Sequence, residues 1–434
     1  MLKIYRYSIN PPNTAKLYKM KRIILVTVSM CVVSSAFAGG YRVALQGQKA
    51  LGMGHTGVAM TDSSEVVFFN PAGMVFLENG MDISGGVTFI NAKAKYQNQE
   101  TNASAETDNP VGTPINFYLS TRFNEDISYG VGIYTPYGNS VEWPTDWAGS
   151  FLVNNIELRA VYIQPTISYK FNDQYSIGIG PNYVMGAVEF NRNLSTALVD
   201  ENGNRSNVTI KGSNIDAWGY NIGFLAKPGK QYSVGISYRS KVDMKARGEE
   251  ADFRNIPASL QSTFPDTTFD ADLVLPAELT VGIAYNLSDA TVLAFDINRT
   301  YWSAYTSLDV QFNNGAGLSS NPRNYKDANI YRLGIQHQTN EKTIVRGGVY
   351  FDETPIQDGY FTPETPRNDA LGLTAGASYH VTKNMELDFS FLYLMFDEFN
   401  GAYDFYDQSG TTISFAGDYK TTVMALGFGL NYKY

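Results

Sequence analysis

The sequence has a single cysteine, Cys31, among 434 residues, so neither a disulfide framework nor a cysteine zinc site is available. Its three histidines, His55, His337 and His380, lie far apart and form no metal-ligating or catalytic spacing. No metal and no cofactor is expected. Charged residues make up only 17%, fewer than the ~25% usual in soluble domains. The charge that is present is net negative, −9, which argues against a nucleic-acid partner, because that needs a basic face. Runs of helix-favouring residues are scarce, and no segment past the first 38 residues is apolar enough for the ~20-residue helix that crosses a bilayer.

What is abundant is aromatic: 30 Tyr and 25 Phe, with many glycines. That composition suits a large all-β protein with aromatic surface.

The N-terminus reads as an export signal. Met20-Lys21-Arg22 is basic, Ile23 to Val33 is apolar, and Ala36-Phe37-Ala38 offers a cleavage site before Gly39. Met20 competes with Met1 as the start. The apolar run is too short to anchor the chain, and Met30 is a poor residue to precede a lipidated cysteine. Residues 1–38 are therefore read as an upstream extension plus signal, and Cys31 leaves with them.

Residues 39–80 are unlike the rest. They carry scattered glycines, the run Val66-Val67-Phe68-Phe69, and then Asn70-Pro71-Ala72-Gly73. Pro71 pushes Asn70 out of helical space, and Gly73 permits φ > 0. The segment is expected to be compact and irregular.

From residue 81 onward the pattern has period 2, the signature of strands. In the last segment Met424, Leu426, Phe428, Leu430, Tyr432 and Tyr434 share one face, and Ala425, Gly427, Gly429, Asn431 and Lys433 the other. The same division recurs at 128–133, 232–239, 279–286, 331–336 and 371–379. A soluble sandwich also alternates. Three features favour a membrane barrel: segments of about 10–18 residues, longer than soluble strands; aromatics at the ends of apolar faces; and connections that alternate short and long. Short turns fall near 124, 173, 229, 288, 341 and 383. Long loops fall near 92–112, 135–155, 191–207, 249–272, 313–328, 352–369 and 400–418. Seven long and six short connections imply an antiparallel transmembrane β-barrel of about 14 strands over 81–434, closed so that no backbone edge meets lipid.

Such a barrel encloses a real lumen. Inward positions are mostly Gly, Ser, Thr and Ala and do not fill it. Residues 39–80 enter at the periplasmic mouth and are apolar enough to pack, so they are read as a hatch plugging the lumen.

The chain resembles the FadL/TodX family of outer-membrane transporters across most of 39–434. The resemblance rests on Asn70-Pro71-Ala72, Ile133-Tyr134-Thr135-Pro136-Tyr137-Gly138, Trp218-Gly219-Tyr220-Asn221, Gly235-Ile236-Ser237-Tyr238-Arg239, Leu275-Pro276-Ala277-Glu278 and Trp302-Ser303, in that order. It implies passive uptake of hydrophobic small molecules, long-chain fatty acids or aromatic hydrocarbons, by a monomer in outer-membrane lipid of a Gram-negative cell. It further implies hatch gating, with Asn70, Pro71, Ala72 and Gly73 as gating structure, and lateral exit at a kinked third strand. Gly130, Gly132 and Pro136 fit that kink; ordinary barrel curvature also accounts for the glycines. The 191–207 loop is too short and polar for a large landing groove, so 249–272, with Phe253, Ile256, Leu260 and Phe264, takes a larger part. A carboxylate cargo needs a cation in the lumen. Arg239, Arg332 and Arg346 are candidates, with Asp296 and Asp388 as competing partners. The rival functions are a non-specific porin, an enzyme on the barrel wall, for which His337 and His380 have no supporting motif, and a surface adhesin.

Overall fold

A computed structural model describes residues 40–434, apart from 79, 196, 316 and 409. The proposed signal lies outside the described residues.

Fourteen strands close into an antiparallel barrel. They are β1 (Met81–Gln97), β2 (Ile115–Arg122), β3 (Ile127–Glu142), β4 (Asn155–Asn172), β5 (Tyr175–Asn193), β6 (Asn207–Ala226) and β7 (Tyr232–Arg239, resumed as Val242–Arg254). There follow β8 (Thr267–Leu275, resumed as Glu278–Ser288), β9 (Thr291–Thr300), β10 (Ala328–Asn340), β11 (Thr343–Asp352), β12 (Ala370–His380), β13 (Met385–Phe396, resumed as Phe399–Gln408) and β14 (Thr411–Lys433). Each pairs with the next, and β14 closes on β1 from Asp82↔Lys433 to Gln97↔Asp418. Pro276 breaks β8, as a residue without an N–H must. The last long connection is not a loop: Phe399–Gln408 pairs with β14 and extends the hairpin beyond the membrane wall.

The alternation translates into two wall faces. On β14, Met424, Leu426, Phe428, Leu430 and Tyr432 are exposed, whereas Ala425 and Asn431 are buried. Exposed apolar side chains recur around the barrel, including Phe89, Ile167, Ile236, Val281, Leu333 and Leu373. A continuous apolar outer belt matches a bilayer and would be a liability in water.

The segment before β1 fills the lumen. Two short helices, α1 (Gln48–Gly52) and α2 (Val66–Phe69), precede a 3₁₀ helix, Pro71–Phe76. Leu51, Val58, Val67 and Ala72 are fully buried. Asn70 has extended backbone, and its side chain caps the 3₁₀ helix by accepting from Ala72 N at 3.2 Å. Gly73 departs from expectation. It has no positive φ; it lies inside the 3₁₀ helix, where a Cβ would press on Val66.

The inward glycines explain how hatch and wall fit. A Cβ at Gly223 would strike the Asn70 side chain, at Gly178 the Pro71–Ala72 backbone, and at Gly235 the Val58 carbonyl. Across the lumen, Gly334 and Gly348 face Met53 and Gly54, and Gly376 faces Gly52. The small residues of the wall are the footprint of the hatch. Gly235→Val should overpack this contact by about 1–3 kcal/mol. The expected result is a hatch that leaves its seat and a barrel with measurable ion conductance in planar bilayers. A variant as tight as the parent would show that the glycines are not the seat.

Candidate functional site

Polar bonds hold the hatch around its circumference. Gly57 and Val58 donate backbone N–H to Asp296 Oδ2 on β9, at 2.8 and 3.2 Å. Asn70 Nδ2 donates to Val58 O at 2.8 Å and to Phe224 O on β6 at 3.0 Å. Gln164 on β4 donates to Val67 O, Ser176 on β5 to Ala72 O, and Ser233 on β7 to Ala59 O. Ser64 N donates to Asp82 on β1. Lys49 Nζ pairs with Glu386 on β13 at 2.9 Å, both buried.

Above the hatch, on the side of the long connections, lies an apolar cavity of about 120 Å³. Ile156, Leu158, Val188, Ile210, Phe269 and Leu273 represent its lining from β4, β5, β6 and β8. Tyr41, at the start of the hatch, also lines it. Polar groups gather at one part of this lining. Arg323 and Glu364 form a buried ion pair at 2.6 Å and so satisfy each other. Arg192 has no carboxylate partner among the described residues. Its guanidinium donates to Phe151 O at 3.3 Å and Ser319 Oγ at 3.4 Å, and stands 6.0 Å from the Tyr406 ring.

The wall is incomplete at β3. Pairing between β2 and β3 runs from Arg122↔Ser128 only to Phe117↔Ile133. On its other edge β3 stays paired with β4 up to Glu142, with a bulge between Tyr134 and Tyr137. Asp108 N reaches Glu142 O at the far end. Between these points the β2-facing edge of β3 pairs with the hatch. Val43 N donates to Pro136 O at 2.9 Å, and Gly138 N donates to Tyr41 O at 3.0 Å. Residues Tyr41–Val43 thus stand in for a missing stretch of wall.

The residues singled out in the sequence fall in several places. Asn70, Pro71 and Ala72 sit at the centre of the hatch seat. Gly130 and Gly132 lie in regular ladder, and a Cβ on either would press on Val67; Gly130 also faces Met74. The interruption itself is at Thr135-Pro136. Arg239 donates to Phe68 O at 3.0 Å and stacks over Phe68 and Tyr134. Arg332 stands opposite Asp296 in the ladder. Arg346 donates to Gln336 and to Ser378, which in turn donates to Asp388. None of these three arginines lines the large cavity. Phe253 and Phe264 pack with tilted rings at 5.7 Å, and Phe253 and Phe312 at the same distance; of these only Phe312 reaches the cavity. Sequence reasoning passed over Arg192, an arginine amid Phe190 and a run of asparagines, because strand parity there gives no clue to a lining role.

A closed fourteen-stranded barrel with an apolar outer belt, a plugged lumen and a greasy inner cavity defines an outer-membrane transporter of hydrophobic compounds. The comparisons with known proteins agree. Residues 29–434 match the family model described as outer membrane protein transport protein (OMPP1/FadL/TodX), and the chain belongs to that family. Outer membrane protein P1 of Haemophilus influenzae is 22% identical, over 96% of this chain and 99% of its own. The long-chain fatty acid transport protein of Escherichia coli K12 is also 22% identical, over 86% and 91%. Among solved structures, a Pseudomonas aeruginosa FadL homologue has a TM-score of 0.79 at 16% identity, covering 91% of this chain and all of that one. The P. putida toluene transporter TodX has 0.67 at 15%, covering 92% and 99%. The family's members are transporters and channels, not enzymes.

One hatch group is expected to make docking sensitive to pH. Glu65 accepts from Lys49 N and Ala50 N, each at 3.2 Å. Burial, and then the nearby Asp388, push its carboxyl up to about 8, with Lys49 and the two N–H groups pulling the other way. An acid whose pKa rises on docking supports the docked state fully below its free value of 4.5 and loses that support as pH climbs through about 8. Protease cleavage within the hatch should therefore quicken between pH 5 and 9. Glu65→Gln should flatten the profile, and an unchanged slope in that variant would exclude Glu65 as the sensor.

Proposed function

We propose that the protein carries long-chain fatty acids across the outer membrane, passively, and releases them sideways into the bilayer at β3. The observation that carries this reading is the pairing of an apolar cavity with an arginine that lacks a carboxylate partner. A neutral hydrocarbon has no use for Arg192; a fatty acid needs such a donor for its headgroup. The acyl chain would lie among Ile156, Val188, Ile210 and Phe269, each methylene contributing about 0.8 kcal/mol on leaving water. The names of relatives include both a long-chain fatty acid transport protein and a toluene transporter, so the guanidinium is what favours the acid.

The exit reading follows from the strip Tyr41–Val43. It touches the cavity through Tyr41 and fills the gap in the wall. If it withdraws, cargo passes from lumen to lipid without crossing water. No ATP motif accompanies the barrel, so net flow follows a gradient. A porin reading fits less well with a lumen filled by the hatch.

Two measurements test these statements separately. In cells lacking their own fatty acid channel, Arg192→Ala should lower oleate uptake about tenfold, as expected for a lost charge-assisted bond, and leave toluene uptake unchanged. Equal losses for both would remove the headgroup role. Arg42 and Tyr137 face each other as a non-hydrogen-bonded antiparallel pair, a geometry that accepts a disulfide. The double variant Arg42→Cys/Tyr137→Cys should transport less when oxidised than when reduced. Equal rates in the two states would exclude the β3 exit.

A further inference from the structure

A second, smaller chamber of about 30 Å³ lies between the hatch and the wall, bordered by Pro136 at the β3 bulge. Unlike the cavity above it, its character is set by nitrogen. Arg42, His55, Arg239 and Arg332 all line it. The Nη2 of Arg42, the Nδ1 of His55 and the Nε of Arg239 are buried and meet no hydrogen-bond acceptor. His55 adds a specific detail. Its Nε2 accepts from Gln46 N at 3.2 Å, so in the neutral ring the proton sits on Nδ1, which is a donor. The ring is carried by a backbone at φ 60°, a left-handed conformation that is uncommon outside glycine but that histidine adopts more readily than most residues. Burial, followed by the positive fields of Arg332 and Arg42, keeps the pKa of this imidazole well below its ordinary value, so it stays neutral.

Most acceptors nearby are already engaged. Glu278 accepts from Tyr137 at 2.8 Å and from Asn298 at 3.3 Å, and lies 3.6 Å from Arg42. Asp296 gives one oxygen to Gly57 and Val58. Its other oxygen is unmatched and stands across the ladder from Arg332, offsetting part of that charge. Of the charged groups that line the chamber, the guanidiniums of Arg42, Arg239 and Arg332 face one carboxylate, Glu278, and Asp296 offsets Arg332 from across the ladder. One positive charge is left over. Water suits such a chamber poorly, because it must donate as well as accept and the free groups of the lining are donors. A buried cation without a counter-charge is costly.

We propose that this chamber is an anion site, built for one monoanion of carboxylate or halide size held by Arg42, His55, Arg239 and Arg332. Its place in transit rests on the transporter reading: a carboxylate leaving Arg192 toward the β3 gap would meet it as a second station. The site itself rests only on the donor set. It is distinct from the large cavity, none of whose lining except Asn139 and Tyr41 comes from the hatch or from β3.

Bromide is the probe. Crystals of the full protein soaked in sodium bromide, with and without sodium decanoate, would be examined by anomalous scattering at the bromine edge. The expected result is a peak within hydrogen-bond reach of Arg332 and His55 Nδ1, weakened about tenfold in Arg332→Met. Loss of the peak with decanoate would support the site with a cargo headgroup as its occupant. A peak that persists with decanoate bound above would support the site with an inorganic ion as its occupant. No bromide and no carboxylate there in the unaltered protein would overturn the proposal, whether or not Arg332→Met folds. Oleate uptake by the same protein keeps the two readings apart: uptake without a peak sinks the anion site alone, and a peak without uptake sinks the transporter reading alone.

Discussion

Close approach of two backbones is the constraint on which this molecule depends. The hatch backbone lies directly against the barrel wall at Gly178, Gly235, Gly334, Gly348 and Gly376, and at Gly223 only the Asn70 and Pro71 side chains intervene. Thinning the wall where it meets the hatch brings the backbone of one within reach of the side chains of the other. Asn70 then bonds both its own segment and Phe224, and Asp296 receives two successive hatch N–H groups. The polar wall and the apolar filling are consequences of the same geometry.

Above that level the wall changes character. Once the hatch ends, inward positions on β4, β5, β6 and β8 become Ile, Leu, Val and Phe. The lumen therefore has two storeys, a tightly fastened lower one and an open, greasy upper one. The strip Tyr41–Val43 joins them, since it belongs to the hatch, lines the upper cavity and completes the wall at β3.

The barrel was legible because lipid imposes a simple rule: one strand face must be apolar over the full span, and period 2 reports it. Loop parity then gave the strand count. What the pattern could not carry was anything set by contacts distant in sequence. Gly130 and Gly132 looked like weak points in a strand, yet their neighbours are Val67 and Met74 of the hatch. Phe253 and Phe264 looked like a capture surface, and they pack against each other, with Phe253 also against Phe312. Arg239, Arg332 and Arg346 were visible from parity, but parity gives the face and not the storey. Arg192 lies in the upper storey, where side chains from several strands and loops converge and no short motif marks the place. Asn400–Asp418 read as a loop because its glycines and aspartates mimic turn composition, although it continues the β13–β14 hairpin.

The short pairing of the hatch with β3 bears on insulation. The N–H of Gly138 and the carbonyl of Pro136 belong to a wall facing hydrocarbon, and their partners come from a segment that is not itself part of the wall. In lipid each such group left single costs several kcal/mol. The seam is therefore self-closing: an empty barrel has every energetic reason to keep it shut, and an amphiphile pressing into it must bring interactions of its own. A membrane that must exclude detergents and antibiotics can host such a protein because the seam in its wall is closed by hydrogen bonds and not left open.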